Sequence, residues 1–434
     1  MINRDTILKK NVSLGVLFKI LNIGIAFFTI PFLLRYLDTE QYGLWVTIFS
    51  IVNVIIYIDG GIANGLKTKL SEALSRKDLK LAREYISTAY YAISIFSFIL
   101  LITGLLVIYW INFKELLNTS LDEKTLKITF FITLFMMTIG YVLSLYKSLF
   151  YAKQKSAYVE FSMLIYQILN LLLILLVLNY FKSSLIYVAT IYGISTIIIG
   201  IIFSAQFFRK QKEIAPSIKF FNIKTIYDLF GLSINFFIIQ LCMIIIFSTD
   251  NIIISKLLGP SEVAIYDIVL KLFQVIITFT IIVQDPFWAL YADAFAKKDF
   301  SWIKKTIKRW NILFLPFLIF VLLLMYFTRP IIKFWLQYDL NIDKNLILCM
   351  GVFVIIRAYG IIYMYFLNGI GKIKMQLWLY VFGALINIPL SIYFVKYMNL
   401  GSTGVILGTI FSMLGLAILL PIQSYKILRN NRHD

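Results

Sequence analysis

The chain has 434 residues, of which 60% are hydrophobic and 15% charged, and its mean hydropathy is +0.86. Soluble proteins carry about a quarter charged residues, so this composition excludes a water-soluble globular protein and makes lipid the solvent for most of the chain. The net charge of +19 does not indicate nucleic-acid binding, because the Lys and Arg residues lie in short segments between apolar runs.

Apolar runs of about 20 residues predict twelve transmembrane helices, and therefore an all-α polytopic membrane protein. The expected spans are 12–35, 42–64, 87–110, 127–150, 160–180, 184–207, 229–254, 263–286, 311–328, 346–368, 376–395 and 402–422. The first run follows Arg4, Lys9 and Lys10. It is too long for the apolar region of a signal peptide, which indicates an uncleaved first helix.

The loops between these helices alternate in charge. Most of the Lys and Arg residues lie in the amino terminus, the even-numbered loops and the carboxyl terminus. Cytoplasmic loops of membrane proteins carry the excess of basic residues. We therefore expect a multi-pass protein of the cell inner (cytoplasmic) membrane with both termini in the cytoplasm.

The two halves of the sequence repeat at an offset of 221 residues without gaps. The segment Glu72–Asp78 matches Asp293–Asp299 in its order of acidic, apolar and basic residues, and Leu37 matches Leu258. A charged register of this kind is less often a chance match than a run of Ile and Leu. The repeat predicts two six-helix lobes, 1–215 and 216–434, related by an axis along the membrane normal.

The two long cytoplasmic loops, after predicted helices 2 and 8, have amphipathic patterns. The second, 299–310, alternates Trp and Ile with Lys and Arg. A basic helix with aromatic anchors is typical of the interface of an anionic leaflet. We expect it to anchor the chain at the membrane surface, with contact to a substrate head group as the alternative.

Metal and cofactor chemistry is not indicated. Cys242 and Cys349 fall inside apolar runs, which is typical of buried, inert thiols. His433 is the only histidine, so neither a histidine-based metal site nor an acid–base relay is expected. The chain also has no Gly-x-x-x-x-Gly-Lys-Ser/Thr loop for a nucleotide phosphate, so we expect no cofactor.

Several short motifs in the first 90 residues resemble the polysaccharide-biosynthesis flippases of the multidrug/oligosaccharidyl-lipid/polysaccharide exporter superfamily. These motifs are Lys10-Asn11-Val12-Ser13, Leu37-Asp38-Thr39-Glu40-Gln41-Tyr42-Gly43-Leu44-Trp45, Gly60-Gly61-Ile62-Ala63-Asn64-Gly65-Leu66 and Ala82-Arg83-Glu84-Tyr85-Ile86-Ser87-Thr88-Ala89-Tyr90. The resemblance is to the O-antigen and capsule repeat-unit translocases of that superfamily. It covers about a fifth of the chain in detail.

The resemblance implies a transporter with two six-helix lobes and an alternating-access cycle. The implied cargo is an undecaprenyl-pyrophosphate-linked oligosaccharide, flipped from the cytoplasmic to the periplasmic leaflet. The partners implied are this lipid-linked oligosaccharide, membrane lipids, and polymerase and chain-length proteins of the same pathway, with no nucleic acid, and the chain is expected to be a monomer. The family has no shared catalytic signature, so the candidate site follows from intramembrane charge.

The basic residues within predicted helices that are candidates for a site are Lys19, Lys271 and Arg357. An ionisable side chain at the bilayer centre costs about 2.5–3.5 kcal/mol on insertion scales, so such residues usually face a bundle interior or hydrated cavity. A pyrophosphate needs compensating cations when it is desolvated, which makes the three residues candidates for a cationic substrate-binding cavity. Alternatively, Asp267 neutralises Lys271 four residues along the helix, and Lys19 reaches towards the membrane interface.

Four aspartates are candidates for a gate or for ion coupling: Asp59, Asp250, Asp267 and Asp285. Asp59 and Asp285 lie near the cytoplasmic ends of predicted helices 2 and 8, where they would form a gate with loop lysines or be solvated helix ends. Asp250, near the periplasmic end of predicted helix 7, would take part in ion coupling.

Two other functions fit parts of the sequence. A cation-coupled multidrug exporter of the same superfamily would need an acidic or aromatic pocket, which Asp59 and Asp267 favour and the basic intramembrane bias disfavours. A membrane polysaccharide polymerase or glycosyltransferase would need a large periplasmic loop with basic residues or an acidic metal-binding motif. Neither feature is present in the sequence, so we expect a transporter and not an enzyme.

Overall fold

The computed structural model describes the backbone of residues 4–56, 61–230 and 234–430. Throughout these ranges the regular secondary structure is helical, which confirms the all-α class. Within a bilayer no water is available to hydrogen-bond exposed backbone groups, whereas a helix satisfies them internally. Runs rich in Ile, Phe and Tyr therefore fold as helices although these residues are only moderate helix formers in water.

The chain divides into two compact units, Met1–Phe237 and Ile238–Asp434. The first unit contains α1 (Arg4–Ile56), α2 (Ile62–Ser75), α3 (Leu79–Trp110), α4 (Phe113–Leu117), α5 (Glu123–Leu143), α6 (Tyr146–Ala152), α7 (Ser156–Tyr180), α8 (Leu185–Lys210) and α9 (Ile223–Phe230). The first unit thus extends to Phe237, whereas the domain boundary expected at 215/216 follows the sequence repeat.

The second unit contains six helices of the described chain, and the first of them, α10, begins just before the unit boundary. These are α10 (Ile234–Leu258), α11 (Pro260–Ala296), α12 (Phe300–Leu336), α13 (Lys344–Gly369), α14 (Lys374–Lys396) and α15 (Gly401–Asn430). Helix α13 packs against α11, α12 and α15, and α15 also packs closely on α14. The core of this unit therefore lies around α13 and α15.

Eleven helices in the described ranges are long and apolar enough to cross a membrane. One of them, α1, has non-helical backbone at Asp38, with φ 66° and ψ 177°. This residue divides α1 into two segments, so that each unit provides six spans, in agreement with the twelve predicted. Many side chains on these helices are large, apolar and exposed, such as Trp110 and Phe334. The chain is a multi-pass membrane protein.

Helices α11 and α12 are longer than the sequence pattern predicted. Each has 37 residues and is therefore about 55 Å long, well over the roughly 30 Å of the hydrocarbon core. The segment 299–310 is helical as predicted, but it forms the first turns of α12 and not a separate helix in a loop. The Asp299 carboxylate begins the helix by accepting a hydrogen bond from the Trp302 amide at 3.0 Å, and no break follows before Leu336.

The amphipathic segment after the second span forms α2, and its apolar face is buried against protein. Ile62, Leu66 and Leu70 are buried along this face, and α2 packs on α3, α6 and α9. Gly65 lies so close to α9 that a Cβ atom there would be 2.1 Å from the Leu229 carbonyl oxygen. The apolar face of α2 thus packs α9 against the rest of the first unit.

The internal repeat extends to the residues that begin helices. Asp78 caps α3 and Asp299 caps α12, each through a hydrogen bond to the amide three residues later. The residues before them, Lys77 and Lys298, have left-handed backbone with φ 58° and 59°. These pairs are all 221 positions apart, so the two units share local backbone geometry as well as their series of spans.

Candidate functional site

A cavity of about 200 Å³ lies inside the second unit. Its walls come from α10, α11, α13, α14 and α15, and they consist mostly of Met, Ile and Leu side chains. The polar groups of the lining are the Arg357 guanidinium and the hydroxyls of Tyr365 and Tyr380. One fixed cation therefore faces a largely apolar cavity.

Arg357 is stabilised by aromatic rings. Its guanidinium carbon lies 4.1 Å from the centroid of the Phe247 ring and 5.8 Å from that of Phe353. Such contacts contribute about 0.5–2 kcal/mol, which is less than the cost of placing the charge in the membrane. In the part of the chain that the structure describes, no carboxylate forms an ion pair with Arg357. The positive charge of Arg357 therefore remains uncompensated by ion pairing.

Tyr365 connects the cavity to Asp285. The Tyr365 hydroxyl donates a hydrogen bond to the Asp285 carboxylate, and Trp288 packs edge-on against the Tyr365 ring at 5.9 Å. Because α11 continues to Ala296, Asp285 lies within the helix and not near its end as predicted. Its role as a gate remains a prediction.

Lys271 and Asp267 form an ion pair along one face of α11. The Lys271 Nζ atom lies 2.8 Å from the Asp267 carboxylate, and the Asp267 side chain is buried while that of Lys271 is 36% exposed. The spacing of four residues favours this contact in a helix. The pair carries no net charge, so Lys271 contributes less positive potential than Arg357.

Asp250 lies at the centre of a second polar cluster, and it is 2% exposed. It accepts hydrogen bonds from the Tyr266 hydroxyl at 2.7 Å and from the Thr409 hydroxyl at 3.2 Å. Thr409 in turn accepts a hydrogen bond from the Asn387 amide at 3.1 Å. Within the described residues no Lys or Arg forms an ion pair with Asp250. A carboxyl group buried in this way is stabilised by binding a proton or a cation.

The remaining candidates lie in the first unit. Lys19 is partly exposed on α1, and its place in a shared cationic site stays a prediction. Asp59 lies outside the described residues. In the ranges 4–56, 61–230 and 234–430, no three His, Cys, Asp or Glu side chains come together as a ligand set.

The sequence did not reveal the partners of the buried charges. Phe247 is one of 38 Phe residues and Tyr380 one of 27 Tyr residues. Aromatic content alone did not distinguish these two from the other aromatic residues. Asn387 and Thr409 gave a weak signal, since each is a polar residue within an apolar run. Pairing them with Asp250 required the packing of α10, α14 and α15.

Comparison with known families gives two matches. The family model described as polysaccharide biosynthesis protein matches residues 8–284, and the MatE model matches residues 236–393. The putative O-antigen transporter of Salmonella typhimurium is 23% identical over 403 residues, which cover 91% of this chain and 90% of the relative. The putative O-antigen export protein of Yersinia pseudotuberculosis is 24% identical over 415 residues, with the same coverage.

Solved structures share the fold at low sequence identity. An inward-facing multidrug resistance MATE family transporter of the MOP superfamily has a TM-score of 0.80 at 15% identity, covering 97% of this chain and 99% of that one. A MOP superfamily transporter from Pyrococcus furiosus, for which a reversed polarity of the binding pocket suggests a different function, has a TM-score of 0.71 at 16% identity. The latter match covers 98% and 97% of the two chains.

Proposed function

Because the chain belongs to the polysaccharide biosynthesis protein family, a transporter family of the MOP superfamily, we propose that it flips undecaprenyl-pyrophosphate-linked oligosaccharide repeat units by alternating access. The resemblance noted in the sequence is confirmed by this membership and by the two O-antigen relatives. Export of a polysaccharide precursor is the function that these relatives support, and the lipid-linked form of the cargo is our proposal.

The observation that supports an anionic cargo is the guanidinium of Arg357. It faces a cavity without a carboxylate partner among the described residues, and the rings of Phe247 and Phe353 lie beside its charge. A pyrophosphate would supply the missing negative charge and accept several of the five guanidinium N–H groups. In the low dielectric of the cavity, these hydrogen bonds would be stronger than in water.

Lys19 and Lys271 remain proposed contacts of the same head group. For Lys271 this role requires the Asp267 ion pair to open or to be shared with the substrate. Asp59 and Asp285 are proposed as gate residues, and Asp250 as the group that binds a coupling ion. The energy source is a separate question, because a proton, a sodium ion or the membrane potential would each satisfy this scheme.

The proposed setting is the inner membrane with both termini in the cytoplasm, so that the repeat unit enters from the cytoplasmic leaflet and leaves towards the periplasm. The polymerase and the chain-length protein of the same pathway would then consume the product. The chain is proposed to act as a monomer.

The test is a strain in which Arg357 and Lys271 are both changed to Ala, compared with a gene deletion. We expect both strains to accumulate lipid-linked repeat units on the cytoplasmic face and to lose surface polysaccharide. Lys396→Ala is the matched control, because Lys396 is an exposed basic residue at the end of α14. Normal surface polysaccharide in the double variant would reject the proposed site, and normal polysaccharide in the deletion strain would reject the function.

One observation favours a second candidate, a cation-coupled multidrug exporter. Asp250 is a buried carboxyl with hydroxyl donors and no basic ion-pair partner in the described ranges, which suits a bound proton or cation. A growth assay with cationic dyes separates the two functions. Dye sensitivity on deletion, with surface polysaccharide unchanged, would favour the multidrug exporter.

A further inference from the structure

We propose that an apolar groove on the second unit binds the polyprenyl chain of the lipid-linked substrate. The inference rests on the proposed function and extends it, because it assigns a site to the lipid part of the cargo before the pyrophosphate moves to Arg357. The groove has a volume of about 420 Å³ and is formed by α11, α12 and α13. We call it the α11–α12 groove.

The groove exists because two long helices pack on a third more closely than on each other. Helices α11 and α12 both pack on α13, and they contact each other less than α11 contacts α13. Ala358 and Ile362 of α13 form the floor. On the walls, Phe279 and Leu313 are exposed by 43% and 54%. The groove is therefore open along one side to the lipid around the protein.

Aromatic rings make one wall of the groove rigid. Phe314 and Phe317 of α12 are stacked with ring centroids 5.2 Å apart, and both line the groove. Trp310 lies at the end of the groove nearest the amino terminus of α12, and Phe287 packs edge-on against it at 5.1 Å. Preformed aromatic walls favour a ligand with a bulky apolar chain, because little side-chain entropy is lost on binding.

The length of the groove corresponds to one leaflet. Its lining on α12 runs from Trp310 to Phe320, a rise of about 15 Å at 1.5 Å per residue. This is about half of the roughly 30 Å hydrocarbon thickness. Because an undecaprenyl chain is much longer than this, the groove would hold only the part of the chain nearest the head group, with the head group beyond Trp310.

The charge at that end matches an anionic head group. The turns of α12 that precede Trp310 carry four basic residues, Lys304, Lys305, Lys308 and Arg309, and α12 contains no Asp or Glu. Arg309 is exposed directly beside Trp310. A polyprenyl phosphate or pyrophosphate has this combination of a long, methyl-branched apolar chain and a negatively charged head.

The lining of the groove includes one buried polar group, Gln284, whose acceptor atom is unsatisfied among the described residues. Gln284 lines the groove and is 1% exposed, yet its Oε1 atom accepts no hydrogen bond from the described residues. A buried acceptor without a donor costs about 1–3 kcal/mol.

The probe for this inference is undecaprenyl phosphate carrying a photoreactive benzophenone in its chain, added to the full-length protein in lipid nanodiscs. We expect cross-links on the lining segments of α11 and α12, and we expect Leu313→Trp, which narrows the groove, to reduce cross-linking at least roughly tenfold. Ile312→Trp is the control, because Ile312 is exposed on α12 and does not line the groove. Cross-links in the wild-type protein decide the question even where a variant is unstable.

Phosphatidylglycerol is the competitor that identifies the occupant. If it displaces the probe as effectively as unlabelled undecaprenyl phosphate does, the groove holds ordinary acyl chains and the inference is wrong. Cross-links outside the groove would also overturn it, while export that still depends on Arg357 would leave the proposed function intact. Conversely, cross-links in the groove together with normal export in the deletion strain would contradict the proposed function alone.

Discussion

Asp38 and Gly259, which lie 221 positions apart, share a backbone conformation that is almost restricted to glycine. Asp38 has φ 66° and ψ 177°, and Gly259 has φ 96° and ψ 162°. Each residue lies where one membrane span ends and the next begins, within α1 and between α10 and α11. The internal repeat therefore requires the same unusual turn in both units, but only the second unit uses glycine for it.

This relationship predicts the effect of exchanging the two residue types. Asp38→Gly should leave stability nearly unchanged, because it removes strain of about 1–3 kcal/mol while losing the hydrogen bond that the Asp38 carboxylate accepts from the Gln41 amide at 2.9 Å. Asp38→Ala keeps the backbone strain and removes the carboxylate that accepts the Gln41 hydrogen bond. It should therefore destabilise the folded protein by about 0.5–2 kcal/mol. Thermal unfolding of the purified protein, followed by intrinsic fluorescence, measures the difference.

Gly259→Ala is the reciprocal test. A Cβ atom at Gly259 would meet no other atom within 4 Å, so any loss of stability comes from the backbone conformation alone. We expect a destabilisation of about 1–3 kcal/mol. A Gly259→Ala protein as stable as the wild type would contradict the interpretation that this backbone conformation is strained for residues other than glycine. An Asp38→Gly protein with a lower melting temperature than Asp38→Ala would contradict it as well.

The sequence predicted the twelve spans because lipid imposes a simple rule on the backbone, and long apolar runs obey it. It did not predict the lengths of α11 and α12. Their polar ends contain Lys, Trp and Asp residues that continue the helix beyond the hydrocarbon, and hydropathy does not detect such turns. The predicted spans 12–35 and 42–64 placed a connection around Asp38, which the structure confirms, but not its backbone conformation, since an aspartate rarely adopts it.

For the candidate site, the sequence identified charged residues but not what surrounds them. Arg357 was noticeable as a basic residue in an apolar run, and the spacing of Asp267 and Lys271 already allowed the ion pair that the structure shows. The ring of Phe247 over Arg357 joins two helices more than a hundred residues apart. No local pattern encodes such a contact, because it depends on how α10 and α13 pack.

Phe247→Leu should weaken transport without removing the cation. The substitution keeps an apolar side chain of similar size but removes the ring face that lies 4.1 Å from the guanidinium. We expect a loss of about 0.5–2 kcal/mol in the stabilisation of Arg357, which would appear as reduced export of lipid-linked repeat units. Phe353→Leu, at the longer distance of 5.8 Å, should reduce export less. A larger reduction for Phe353→Leu than for Phe247→Leu would contradict the assignment of Phe247 as the main aromatic partner of Arg357.

Asp250→Asn should separate ion binding from folding. An asparagine can accept the hydrogen bond from Tyr266 and donate one to Thr409, so we expect the variant to retain its thermal stability. Tyr266→Phe should instead cost about 1–3 kcal/mol, because it leaves a buried carboxyl oxygen without its closest donor. If Asp250 binds the coupling ion, the Asn variant should transport at a rate that no longer responds to an imposed proton or sodium gradient. A response equal to that of the wild type would exclude Asp250 from coupling.

Arg83→Ala should loosen the attachment of residues 215–222, which belong to the first unit, to α3. The Arg83 Nε atom donates to the Ala215 carbonyl at 2.9 Å, and its guanidinium lies 4.3 Å from the Phe220 ring centroid. One and a half turns later, the Thr88 hydroxyl accepts a hydrogen bond from the Asn222 amide at 3.1 Å, so a row of side chains on α3 holds residues 215–222.

Removing Arg83 takes away a charge-assisted hydrogen bond and a stacking contact, together worth about 2–4 kcal/mol. The contacts that remain are the hydrogen bonds from the Ser217 amide to the Ser87 hydroxyl at 3.1 Å and from the Asn222 amide to the Thr88 hydroxyl. We expect faster amide exchange of residues 212–222, measured by hydrogen–deuterium exchange mass spectrometry, with unchanged exchange in the core of α3. Arg76→Ala is the control, because Arg76 is an exposed residue at the end of α2. Equal exchange in both variants would show that Ser87, Thr88 and the packing of α9 hold residues 212–222 without Arg83.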